Sequence, residues 1–181
     1  MIMGPSGRGK STLVSSFHHF GFALLGDDAM IISGLDTIPQ VRPVYPSLRL
    51  LPDSVEAIIP SAMTSNSVAC NSVKQRFDVA TADHISDLPL SIAAIFSLRE
   101  PGVTEAITLR RSSAAKTCMA LVESSFSLDP SDTAQARRRL EAASTLAAKV
   151  PAFEISYPRD YARLPEVRQA ILDQVAALEP A

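Results

Sequence analysis

A chain of 181 residues, 46% hydrophobic and 20% charged, is long enough for one domain with a sizeable core. Its formal net charge of -2 argues against a mainly electrostatic nucleic-acid partner and fits the mixed surface of a soluble protein. No apolar run reaches the length of a membrane span, and Cys70 and Cys118 match no metal or redox spacing, so they read as reduced thiols of a cytoplasmic protein.

The first stretch of the chain is its strongest signal. Met1, Ile2 and Met3 form an apolar strand end. Gly4, Pro5, Ser6, Gly7, Arg8, Gly9, Lys10 and Ser11 follow and fit the Walker A pattern G-x-x-x-x-G-K-[ST], with Thr12 directly after. Glycines let the backbone wrap a phosphate, the lysine reaches the outer phosphates, and the Ser11 hydroxyl suits Mg²⁺. The helix expected over residues 10–20 adds its positive end to the same anion site. Leu13, Phe17 and Phe20 mark the apolar stripe of that helix, Gly21 marks its stop, and His18 and His19 sit where the helix dipole favours them. A three-residue strand is a short anchor for such a loop, which points to covering strands or to further sequence upstream of Met1.

Beyond the helix, residues 22–25 read as a strand that delivers Asp27 and Asp28 at its end. Residues 29–32 form a second apolar stretch, residues 33–36 a turn, and residues 37–44 an extended segment broken by Pro39 and Pro43. A short helix is expected over 53–59, capped by Asp53 or Ser54. Residues 60–72 carry little periodicity and read as a loop, the expected place for a substrate lid. Residues 73–79 alternate like a half-exposed strand. The apolar run 91–98 predicts a buried strand, and Pro101 and Gly102 turn into another over 105–109, in a hairpin with it or close by in one sheet.

The last third changes to helical spacing. Helices are expected over 113–124 and from Asp129 or Ser131 to about Lys149, the second with Leu140, Leu146 and Ala147 facing inward and Arg137, Arg138 and Arg139 as a basic patch. Pro151 precedes a strand over 152–157, and a closing helix spans 164–178. Without repeats or linkers, residues 1–181 read as one α/β domain.

The adjacent aspartates are the second informative feature. The strand after the first helix can bring its end beside the phosphate loop. There one carboxylate can hold Mg²⁺ while its neighbour takes a proton from an attacking hydroxyl. Repulsion between them favours one titrating upward, toward the range of a general base. The chain has no Leu-Ser-Gly-Gly-Gln stretch of a transporter ATPase and no Asn-Lys-x-Asp of a GTPase. Arg49, Lys74, Arg76 or the Arg137–Arg139 cluster remain to supply further positive charge.

Gly4 to Thr12, followed by residues 22–28 ending in Asp27 and Asp28, resembles the catalytic domain of HPr kinase/phosphorylase. Residues 45–53, Lys74 and Arg76, and the tail through Tyr157, Pro158, Arg159 and Asp160 look like a divergent branch of HPr-kinase-like proteins. The resemblance implies a P-loop domain of the HPr kinase and PEP carboxykinase-like kind, with a mixed sheet flanked by helices and strands upstream of Met1. It implies a serine kinase using ATP and Mg²⁺, with Asp27 as general base, Lys10 on the phosphates, and Ser11 and Asp28 on the metal. It implies a protein or peptide serine as acceptor, and a homo-oligomer. The family's Glu-x-Arg-Gly-x-Gly signature has no counterpart in this sequence, so phosphorylase activity is not carried over. A nucleotide-binding regulatory protein without catalysis and a small-molecule kinase stand as alternatives.

Overall fold

The computed structural model of the protein describes residues 1–27, 29–44, 47–50, 52–58, 75–78, 89–100 and 105–178. Its elements begin with β1 (Ile2–Met3), α1 (Lys10–His19), β2 (Met30–Ser33), β3 (Gln40–Pro43), β4 (Ser47–Leu50), α2 (Pro52–Ile58) and β5 (Gln75–Asp78). They continue with β6 (Leu90–Ser91), β7 (Ile95–Leu98), β8 (Thr108–Arg111), α3 (Ala114–Ser124), α4 (Thr133–Lys149), β9 (Ala152–Ser156) and α5 (Leu164–Ala176). A single 3₁₀ turn, Tyr161–Arg163, leads into α5.

The chain is a mixed α/β protein whose main sheet runs in the order β1-β7-β9-β8. β1, β7 and β9 are parallel, and β8 runs antiparallel to β9 along one edge. The register pairs Ile95 with Ala152 and Phe96 with Phe153, so both strands present apolar residues to both faces, as a sheet covered on two sides requires. Phe96, Leu98, Phe153 and Ile155 bury against Leu13 of α1 and Val167 and Ile171 of α5. Ile95 and Ala152 bury on the opposite face against Leu121 of α3 and Ala143, Leu146 and Ala147 of α4. Each fully buried Ile, Leu or Phe of this kind contributes about 1.5–3 kcal/mol.

The helix ends follow local chemistry. Ser113 caps α3 by accepting from the Lys116 amide, and Asp132 caps α4 by accepting from Gln135. Arg168 of α5, itself buried, donates to the Ser16 hydroxyl of α1 at 3.0 Å and lies 3.6 Å from the centre of the Phe20 ring. Phe20, expected in the buried stripe, lies just past the end of α1 and is instead exposed, with the Arg168 guanidinium over its ring. Leu140 is also exposed rather than inward, because the buried face of α4 begins with Ala143.

Several strand expectations are corrected by pairing that lies far apart in sequence. Residues 22–25 form no strand. Leu24 is satisfied instead by burial with Leu50 against Val14 and Val55. The expected strand 91–98 is divided, with β6 joining β2 and β3 in a small antiparallel sheet while β7 enters the main sheet. β8 is no hairpin partner of β7, but the two lie in one sheet, as the other expectation had it, with β9 between them. Asp53 and Ser54 do not cap α2, which starts at Pro52. The expected turn at residues 33–36 joins β2 to β3, which pair antiparallel, and β4 pairs with β5. The expected lid, residues 60–72, with Cys70 and Lys74, lies outside the described residues. Cys118 is a free, partly buried thiol. Among the described residues no helix is long and apolar enough to cross a membrane.

Candidate functional site

Parallel strands open their carboxyl ends on one edge of a sheet, and in such sheets that edge is where ligands sit. Here β1 leads into residues 4–9, β7 into Arg99 and Glu100, and β9 into Tyr157–Asp160. The contacts between these segments are close. A Cβ on Gly4 would stand 3.2 Å from the Leu98 carbonyl oxygen, and Arg8 pairs with Glu100 at 3.3 Å. A Cβ on Gly9 would stand 3.2 Å from the Tyr157 hydroxyl.

Gly9 is also the N-cap of α1, with φ 86° in the left-handed region where only glycine sits without strain. Glycine has no side chain to cap with, so among the described residues no N-cap side chain takes the first amides of this helix. Lys10 folds back over its own loop, its Nζ donating to the Pro5 carbonyl at 3.0 Å.

These segments enclose a cavity of about 520 Å³, a size usual for small-molecule sites. Residues 6–12 form one wall. Asp27 joins them from the segment after α1, and Leu50, Asp53 and Ser54 from β4 and α2. Tyr157, Arg159, Asp160 and Tyr161, with Leu164, form the remaining side. Burial pushes the Tyr157 phenol up to about 12, and the Arg159 guanidinium pulls against that shift.

A chain of hydroxyls ties the walls together. Tyr161 donates to Asp53 Oδ2 at 2.9 Å, Ser54 Oγ lies 3.1 Å from the Tyr161 hydroxyl, and Thr12 Oγ1 lies 3.1 Å from Ser54 Oγ. Each hydroxyl has one proton, and an ionised carboxylate only accepts. The protons therefore run in one direction, from Thr12 to Ser54, from Ser54 to Tyr161, and from Tyr161 to Asp53. Ser54 is buried, so this chain pins α1, α2 and the 3₁₀ turn to one another.

Of the residues singled out from sequence, Ser6, Gly7, Arg8, Gly9, Lys10, Ser11, Thr12 and Asp27 line this one cavity. Gly4 packs on Leu98 and Pro5 receives Lys10, so both shape the loop from behind. Asp28 lies outside the described residues. Arg137 pairs with Glu141 and Arg139 donates to carbonyls at the end of α3, so both are engaged on the α3–α4 hairpin. Arg49 and Arg76 stand opposite one another in β4 and β5. Sequence reasoning missed Tyr157, Arg159, Asp160 and Tyr161. The available signal was a Tyr-Pro-Arg-Asp turn at the carboxyl end of the last buried strand.

Fold and site together define a mixed α/β protein with a glycine-rich loop and a carboxylate at the carboxyl edge of a largely parallel sheet. No protein-family model, curated protein or solved structure matches the chain.

Proposed function

We propose that the protein is an ATP-dependent phosphotransferase that moves the γ-phosphoryl group to a serine hydroxyl of a protein or peptide, on a P-loop domain of the HPr-kinase-like kind. One observation carries this reading: the Asp27 carboxylate lines the same cavity as Lys10 and Ser11 of the glycine-rich loop. The loop amides and the uncapped start of α1 receive the phosphates, and Lys10 neutralises their charge. The acceptor oxygen forms a bond to the γ-phosphorus while the bond from that phosphorus to the β–γ bridging oxygen breaks, releasing ADP. The acceptor's proton passes to Asp27.

The donors present fit Mg²⁺ in kind. That ion is usually held by one or two carboxylates, with substrate phosphates and waters completing its shell. Ser11 would hold it, together with Asp28 as the family resemblance implies, and when bound it neutralises phosphate charge. Among the described residues no cluster of three or more His, Cys, Asp or Glu side chains could form an all-protein metal cage.

The test is nucleotide binding by calorimetry, paired with transfer from labelled ATP to a library of serine peptides. Asp27→Asn should lower transfer about 10²–10⁴-fold while leaving ATP affinity within about threefold. Absence of ATP binding at millimolar concentration would refute the reading. Binding with no transfer to any acceptor would leave a nucleotide-sensing protein, and a small labelled product would mark a small-molecule kinase.

A further inference from the structure

We propose that Arg159 is the side chain that holds the terminal phosphate of a nucleoside triphosphate bound in this cavity, an assignment that rests on the phosphotransfer reading above. A transferring phosphoryl group spreads negative charge over its outer oxygens, and catalysis of that step is largely positioning plus fixed positive charge. Lys10 is one such charge. A second must come from a group that faces the loop and is not already neutralised.

The other described arginines near the carboxyl edge are spoken for. Arg8 lines the cavity but pairs with Glu100. Arg99 pairs with Glu154 and Arg163 with Glu166. Arg137 and Arg139 are engaged on the α3–α4 hairpin. Arg159 lines the cavity and forms no hydrogen bond or ion pair with the described residues.

Two carboxylates that line the same cavity, Asp160 and Asp53, each accept a hydrogen bond from another residue. Asp160 Oδ1 receives the Ala162 amide at 2.9 Å, and Asp53 receives Tyr161.

The backbone that carries Arg159 is braced. Pro158 fixes its own φ, the Asp160 amide donates to the Pro158 carbonyl at 2.9 Å, and the Arg163 amide donates to the Asp160 carbonyl at 3.1 Å. The guanidinium acts electrostatically on the Tyr157 phenol, whose hydroxyl abuts Gly9. Arg159 and Gly9 line the same cavity, Arg159 from the wall formed by the β9 turn. The loop amides and Lys10 cradle the inner phosphates from within the loop. A guanidinium on the other wall meets the phosphate that extends beyond that cradle, where its planar fork can bind two oxygens at once.

The experiment compares ATP with ADP, both with Mg²⁺, by calorimetry on the full chain. Arg159→Gln should weaken ATP about 10- to 100-fold and change ADP by less than about twofold. Arg159→Lys should recover part of the ATP affinity by restoring the charge without the fork. Parallel loss of ATP and ADP, or no loss of either, overturns the assignment.

If Arg159→Gln fails to fold, the wild-type protein supplies the answer through phenylglyoxal modification mapped by peptide mass spectrometry. ATP should shield Arg159 and ADP should not, and equal shielding or none overturns the assignment. A wild-type protein that binds neither nucleotide brings down the phosphotransfer reading along with this one. Wild-type binding with a negative Arg159 result removes this assignment alone.

Discussion

Replacing Gly9 with alanine tests the contact that joins the glycine-rich loop to the β9 turn. The substitution carries two separable costs. The first is conformational: φ of 86° lies in the left-handed region, where an L-residue loses about 1–2 kcal/mol. The second is steric. The new methyl would stand 3.2 Å from the Tyr157 hydroxyl, so the buried ring must give way by a few tenths of an ångström. Overpacking of this size adds about 1 kcal/mol, for a total of about 2–3 kcal/mol.

Only the second cost depends on the tyrosine oxygen. Tyr157→Phe removes that atom, and because the hydroxyl forms no hydrogen bond with the described residues, the change alone should cost less than about 0.5 kcal/mol. In the Tyr157→Phe background, Gly9→Ala should therefore cost only the conformational share, a coupling of about 1 kcal/mol between the two positions. Urea unfolding of the four proteins measures it, provided the slope is common to all. Costs that add within about 0.3 kcal/mol would show that the β9 turn does not bear on the loop, and the geometry argued for the site would fall.

Two further perturbations probe the supports of the site. Tyr161→Phe leaves buried Ser54 without its acceptor and Asp53 without its donor, and should cost about 1–2 kcal/mol by urea unfolding. Combined with Ser54→Ala the loss should be less than additive, and full additivity would mean that the hydroxyls do not act as a chain. Glu154 on β9 feels burial, which raises its carboxyl, but Lys116 and Arg99 together outweigh that and hold it below the usual carboxylate range. A depressed folded value gives stability that is present above the unfolded value near 4.5 and lost as the pH falls through the lower folded value. Glu154→Gln should cost about 0.5–1 kcal/mol at pH near 7 and flatten the acid limb of a stability–pH curve, whereas an unchanged acid limb would refute the role of this pair.

The parts of this fold that were legible in sequence are those set by neighbours along the chain. The loop and α1 follow from glycine spacing and an apolar residue at position 13. α3 begins at its Ser113 cap, α4 begins at its Asp132 cap, within a few residues of the expected Asp129 or Ser131, and the expected turn at residues 33–36 lies between β2 and β3. Asp27 was legible as well, because its distance from the loop is one helix and one return segment. What was not legible depends on pairing across the chain. The apolar residues 22–25 read the same whether they enter a ladder or, as Leu24 does, fill a small cluster beside Leu50. The run 91–98 holds two short strands that serve different sheets, and no local property marks the break. The tail residues 157–161 become site residues only once β9 is parallel to β1 and β7, and strand direction is not written in any single segment.

That last dependence gives the carboxyl-terminal segment a larger part in the site than its sequence suggests. β9 sets Tyr157 against Gly9 and brings Arg159 and Tyr161 into the cavity. The helix that follows buries Val167 in the core shared with Leu13 of α1, and Arg168 clamps Ser16 and Phe20. The glycine-rich loop is therefore held at its last glycine by the β9 turn and along its helix by α5, two contacts made by one continuous piece of chain. A loop that must place several backbone amides around one ligand gains from such bracing, because each amide is held before the ligand arrives and less ordering remains to oppose binding. The short β1 is correspondingly less critical than a lone strand before a loop would be. Its two residues pair with Phe96 and Ser97 of β7, but the helix they lead into is fixed from the opposite end of the sequence.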